Sequence, residues 1–599
     1  MKVKLSFILI LVFLWHSHID FISAQPVIES NNSVVLFPAN NAKNVNPDTH
    51  LEITFSGKPV LGNKGQVRVY DMENNLLVDL LDLSIAPGPT ERNMTHAPYT
   101  PVPYKYISGN FTNANTKPGT PSGLAEPTPD TFQLTIIGGF TDGFHFYPVI
   151  IRDNTATIYL HHNLLEYNKT YRVEIDPEVL VPEQGSFSGI SREDEWIFST
   201  KPNPPSAESS LLLVNGDGTG DFSTVQGAID YIPDYHPERI TIYIKNGVYE
   251  EIVYFRNKTN ITFLGEDRDK VVVQYANREV FNPHPSNITT NEVKGTFPSR
   301  RAVFAVDNSS NIHLMNMTIR NLSEIAQAEG LLLNGEKNIV YNVHIVGSGD
   351  ALQSNGSAYY QNCKVDGWGD VILGRGPAFF KDCQFTAKGP YMWIRNTEEN
   401  HGNVFINCEF VTAEGKETLL ARAPTNHGKN YPYSEAVLIN CKMQGIAPEG
   451  WGQIGGETKD IRYWEYNSTN ISDGKPVDIS KRHPASRQLS MQQDSAMIAK
   501  YSDPAFVLGG WTPLLFPTLL QQPGDEIAKK GDQVTLTFEV AAIPEAEFQW
   551  FKGDKMIPGE KGSTLILENV RGKDAGNYHV IVRNSAGSLQ SRSIMVKVK

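Results

Sequence analysis

Cysteine is almost absent: Cys363, Cys383, Cys408 and Cys441 are the only four in 599 residues. So few cannot staple a secreted chain of this length, which excludes a disulfide scaffold. A basic excess is missing as well, since 53 Lys and Arg face 66 Asp and Glu for a net charge of −13. Such a surface repels phosphate backbones, so nucleic acid is excluded as a partner. Long apolar runs are confined to the first residues, where Leu5 to Trp15 falls short of the roughly 20 residues a membrane span needs. Lys2 and Lys4 precede that run and Ser23-Ala24 follows it. The pattern is that of a secretory signal peptide over residues 1–24, which predicts a secreted protein, extracellular or periplasmic, with no membrane span. H-E-x-x-H, C-x-x-C and G-x-S-x-G are also lacking, so zinc hydrolysis and serine-triad chemistry have no foothold.

What is present is turn-rich and β-prone. Gly 48 and Pro 37 accompany 40% apolar and 20% charged residues, an ordinary globular composition. The length allows about three or four domains. Three stretches differ in pattern. Between residues 25 and 203, short alternating runs (LEITFS, QVRVYD, ATIYLHH, YRVEID, EWIFST) are separated by turn residues, as in a β-sandwich. Lys201 to Ser210 is rich in Pro and Ser and reads as a linker. From 517 to 599 a second set of runs (VTLTFEV, FQWF, LILENV) leads into Asp574-Ala575-Gly576-Asn577-Tyr578.

The middle, residues 209–514, repeats itself. NMTI (316–319), NVHI (342–345), NCKV (362–365), DCQF (382–385), NCEF (407–410) and NCKM (440–443) are variants of one phrase, spaced 26, 20, 20, 25 and 33 residues apart. A strand returning at such intervals without helical spacers predicts a solenoid of stacked rungs, a right-handed parallel β-helix. Within each phrase the cysteine and the apolar residue two places later share a parity and point inward. The cysteines should then form a buried column. Disulfides between neighbouring rungs are the alternative, opposed by the geometry a bridge demands.

Registering the rungs yields a site. Asp350 lies eight residues after Asn342 and Asp370 eight after Asn362, so the two occupy one phase of adjacent coils, about 4.8 Å apart along the axis. Two carboxylates that close divide into one that keeps its proton and one that stays anionic. A nearby cation must hold the anion, and Arg422 is the candidate. The bland alternative is that both aspartates merely end strands. Gly216 to Gly220 reads as the turn into the first coil, Tyr249 and Glu251 as structural, and His427 as an exposed loop histidine.

VNGDGTGDFSTVQGAID (214–230), NGVYEE (246–251), QAEGLLL (327–333), GDAL (349–352), DVILG (370–374), LARAP (420–424), EYN (465–467) and GGWTP (509–513) resemble, in order, the landmarks of pectin methylesterases. The N-terminal stretch, beginning with Pro38 to Thr49 and closing on W-x-F-S-T, resembles bacterial Ig-like domains. Trp550 and the D-x-G-x-Y run of the C-terminal stretch resemble the core tryptophan and tyrosine corner of immunoglobulin domains. That family's bridging cysteines are replaced by Phe538 and Val580. The resemblances imply an all-β chain: signal peptide 1–24, Ig-like sandwich 25–203, pectinesterase-like β-helix 209–514, Ig-like domain 517–599.

Carried over residue by residue, the resemblance makes Asp370 the nucleophile, Asp350 the acid/base, Gln327 an oxyanion donor and Arg422 the arginine that orients the nucleophile. The substrate implied is methyl-esterified homogalacturonan (pectin), with no cofactor and no metal. Two departures stand out. Gly349 replaces a glutamine that helps line the oxyanion site, and LARAP lacks the family's sugar-stacking tryptophan. Trp368, Trp393 and Trp451 are the candidate substitutes. A pectate lyase or polygalacturonase on the same solenoid and a non-catalytic pectin binder remain the alternatives, and the flanking modules are expected to hold the protein on polysaccharide or a cell surface.

Overall fold

A computed structural model describes residues 34–91, 104–107, 110–113, 132–135, 137, 144–183, 186–283, 300–325, 327–413, 415–422, 425–426, 429–452 and 459–599. The signal-peptide stretch and His427 lie outside these residues. The middle of the chain is a solenoid of three parallel sheets, of eleven, nine and six strands, each pairing with the strand one coil later. The six-stranded sheet positions the site. Its strands are Val253–Arg256, Phe304–Ser310, Leu331–Glu336, Leu352–Ser354, Ile372–Gly374 and Met392–Ile394, in that spatial order.

The repeated phrase explains how the coil turns. Its first residue (Asn316, Asn342, Asn362, Asp382, Asn407 or Asn440) sits at φ between 54° and 58° in every case. Asn and Asp tolerate that left-handed conformation better than other side chains with a Cβ. Asn342 donates to Asn316 at 2.8 Å and Asn407 to Asp382 at 3.2 Å, lacing one turn to the next. Parallel register then stacks like on like inside. Tyr360, Phe380 and Phe405 stack at 4.4 and 4.8 Å, and Phe385 lies over Phe410 at 5.1 Å.

All four cysteines are buried in this column and unpaired. Each Sγ donates to a backbone carbonyl, Cys363 to Val340 at 3.4 Å and Cys441 to Phe405 at 3.5 Å. Burial pushes the thiols up, Cys441 to about 12, so they are inert as nucleophiles. Thiol titration of the denatured, unreduced protein should therefore find four free thiols; finding none would mean the column is bridged.

Two sandwiches flank the solenoid. Described strands between Val35 and Thr200 form sheets of four and five strands around Ile53, Val69, Val173, Phe198 and Trp196, whose indole donates to Pro38 at 2.8 Å. This module caps the first coil: Asp48 accepts from the backbone of Ser223 and Thr224 at 3.0 and 2.8 Å. Glu251 holds the amides of Val225 and Gln226 at the start of helix Val225–Tyr231. The C-terminal sandwich packs Phe538, Trp550, Tyr578 and Val580 together. Tyr578 donates to the carbonyl of Asp574 at 2.7 Å, and apolar side chains fill the place of a bridge. Ala541 and Ile543 join helix Met491–Tyr501 on the outer face of the eleven-stranded sheet. Among the described residues no helix is long and apolar enough to cross a membrane.

Candidate active site

Asp350 and Asp370 occupy equivalent turns on successive coils. Val346 pairs with Asp366 before them and Leu352 with Ile372 after them, and the Asp350 amide donates to Gly369 at 3.0 Å. Both residues are left-handed, at φ 58° and 46°. Gly349, also at φ 58°, suits a backbone that disfavours most side chains.

The two carboxyls have different surroundings. Asp370 receives Arg422 Nη1 on Oδ2 at 2.5 Å. Burial pushes Asp370 up, Arg422 pulls it down and the charge of Asp350 pushes it up again, leaving it at about 6. Asp350 is nearly enclosed and is also raised, first by burial; Arg301, Arg395 and Arg422 oppose this and Glu279 adds to it. Its Oδ2 accepts from Arg301 Nη2 at 3.0 Å. Gln327, one coil earlier, is exposed and accepts from Arg301 Nη1 at 2.6 Å on Oε1. Gln327, Asp350 and Asp370 thus precede strands on three consecutive coils of the six-stranded sheet, while Arg422 reaches Asp370 from two coils further on: it follows Ala421, which bridges to Met392, itself paired with Ile372.

The tryptophans divide. Trp368, in the turn before Asp370, is 46% exposed, with Lys388 Nζ 4.2 Å from its ring. Trp393 is half-buried beside the guanidinium groups of Arg422 and Arg395, at 4.2 and 4.5 Å, so it serves as a pad under the arginines. Trp451 corrects the sequence reading. It is 1% exposed and stacked on Tyr463 at 4.5 Å, which leaves no face for a sugar. Replacing Trp451 by Ala should cost about 3–5 kcal/mol of stability, read as lowered thermal unfolding. Trp368→Ala should leave unfolding unchanged and raise KM about fivefold, the equivalent of roughly 1 kcal/mol of lost contact.

Sequence reasoning missed Arg301, Glu329 and Arg395. Glu329 is completely buried and takes Arg301 Nε on both oxygens, at 2.7 and 2.8 Å. The missed signal was a carboxylate directly ahead of Gly330-Leu331-Leu332-Leu333, where an inward position would be apolar.

The pectinesterase family model matches residues 212–509. Those residues form a pectinesterase-family domain. An immunoglobulin-domain model matches residues 517–584. Among similar proteins, probable pectinesterase 30 of Arabidopsis thaliana is 27% identical over 313 residues, 47% of this chain and 60% of that protein. Pectinesterase QRT1 of the same plant is 29% identical over 330 residues, 51% of this chain and 81% of that protein. The chain spans 55% to 60% of the length of the first three curated relatives. Among solved structures, pectin methylesterase from carrot is 22% identical with a TM-score of 0.41, covering 52% of this chain and 95% of that one. Pectin methylesterase PemA from Erwinia chrysanthemi is 21% identical with a TM-score of 0.40, covering 52% and 99%.

Proposed function

We propose that this protein is a secreted pectin methylesterase, hydrolysing methyl esters of polygalacturonate to methanol and pectate. One observation carries the reading: inside the pectinesterase domain, two carboxyls stack on successive coils and each meets its own guanidinium.

Asp370 attacks the C6 carbonyl of a methyl-esterified galacturonate, and the Gln327 amide steadies the oxyanion. Asp350 gives its proton to the departing methoxide, and methanol leaves an acyl-enzyme anhydride on Asp370. Asp350, now a base, takes a proton from water, whose oxygen attacks the acyl carbon. The product leaves as galacturonic acid and gives its proton to solvent to become the carboxylate, Asp370 is free as its anion, and Asp350 again holds its proton. Arg422 keeps enough of Asp370 ionised to attack. None of these steps requires a metal.

Residues 1–24 direct export, to the periplasm or beyond the cell. Residues 25–203, read as a bacterial Ig-like module, and 517–599 hold the solenoid on polymer or a cell surface. The deciding experiment is methanol release from highly esterified pectin, with chain length followed in parallel. Methanol without shortening supports the esterase; shortening without methanol would make the protein a lyase or glycosidase, and binding with neither would make it a pectin-binding protein.

A further inference from the structure

We infer that Arg301 is a positioning residue of this site: braced by Glu329, its guanidinium turns the amide nitrogen of the exposed Gln327 away from itself and fixes one oxygen of Asp350. The inference rests on the esterase reading and adds to it a residue that neither the repeat nor the family landmarks single out.

The argument begins with donor and acceptor chemistry. A guanidinium only donates, so the Gln327 atom 2.6 Å from Arg301 Nη1 must be the carbonyl oxygen. The NH2 group is thereby the arm turned away from Arg301, on an exposed residue. That is the arm an oxyanion needs. Without Arg301 either end of the amide could face substrate, and half of those orientations would oppose a carbonyl oxygen to the developing charge.

The guanidinium is itself fixed. Nε meets both oxygens of Glu329, Nη1 also approaches Glu279 at 3.3 Å, and Nη2 reaches Asp350 at 3.0 Å. Asn321, buried, donates to the carbonyls of Arg301 and Glu329 at 3.2 and 2.9 Å, joining the two loops. Three carboxylates thus share one largely buried cation. Burial and the charge of Asp350 push Glu329 up and Arg301 pulls it down, to about 7.

Gly349 gives the arrangement its significance. A site with one side-chain amide for the oxyanion, instead of two, depends more on that amide being turned correctly.

The test uses the full chain and methanol release from esterified pectin. Arg301→Lys keeps the charge but carries all its donors on one nitrogen, so it cannot hold Glu329, Gln327 and Asp350 together. The expected result is a fall in kcat of about 10²-fold, with KM within about twofold and near-UV circular dichroism unchanged. Gln327→Ala should cost a similar factor in the wild-type background and much less in Arg301→Lys, because the two act as one unit. Gln327→Glu supplies an arm independent of how Arg301 variants fold. It keeps an acceptor for Arg301, removes the NH2 group, and should be as impaired as Gln327→Ala. Wild-type kcat in Arg301→Lys, fully additive losses, or an active Gln327→Glu would each overturn the inference while leaving the esterase standing. A wild-type protein that releases no methanol would remove the esterase reading and this inference with it.

Discussion

Asp370→Asn is expected to lower methanol release by at least about 10³-fold without loss of the fold. The amide is isosteric and can still accept from Arg422, but it cannot form the acyl intermediate, and losing a nucleophile costs rate on this scale. Stability should move the other way. The folded-state value of Asp370, about 6, lies above its ordinary 3.8. The folded protein therefore binds that proton more tightly than the unfolded chain, and stability falls as pH rises from about 4 through 6. Above pH 6 wild type carries a disfavoured buried charge that the Asn variant lacks. Thermal unfolding of Asp370→Asn at pH 7 should match or exceed wild type, and the difference should vanish near pH 4. Asp350→Asn should also lose turnover, because nothing then protonates methoxide. Full activity in either variant would remove the proposed division of roles.

The eight-residue offset placed Asp350 and Asp370 correctly because the turns after His344–Val346 and Lys364–Asp366 have equal length. Register therefore carries through from one turn to the next strand. The Asn-led phrase was legible for a related reason: its polar first residue marks a backbone conformation as well as a pattern of burial. Other features could not be read this way. Trp451 and Trp368 look alike in sequence, and only three-dimensional packing makes one core and the other surface. Arg301 lies 49 residues from Asp350, and their meeting depends on the coils between them, including residues outside the repeated phrase. Phe538 and Val580 were readable as a departure from an immunoglobulin pattern, but their burial against Trp550 is a fact of packing.

Arg422→Ala should move the whole pH–rate profile toward higher pH as well as lower its height. In wild type the acid limb follows ionisation of the carboxyl pair, in which Asp370 lies near 6, and Arg422 is the largest influence opposing burial there. Removing an adjacent guanidinium raises a carboxyl by about 1–3 units, so the acid limb should rise by at least about one unit. Arg422 also lowers Asp350, though after burial, Arg301 and Arg395. The alkaline limb should therefore rise too, by less, and the bell should narrow as it shifts. The two carboxyls titrate as a pair, so the limbs report the pair rather than either residue. At pH 7 less of Asp370 is anionic and what remains is unoriented, for a combined loss of about 10²-fold. Arg422→Lys separates the two effects: a retained charge should leave the acid limb near its wild-type position, while the lost fork and its contact with Trp393 still reduce kcat. An acid limb that stays put in Arg422→Ala would mean that another cation, Arg395 foremost, holds the nucleophile ionised.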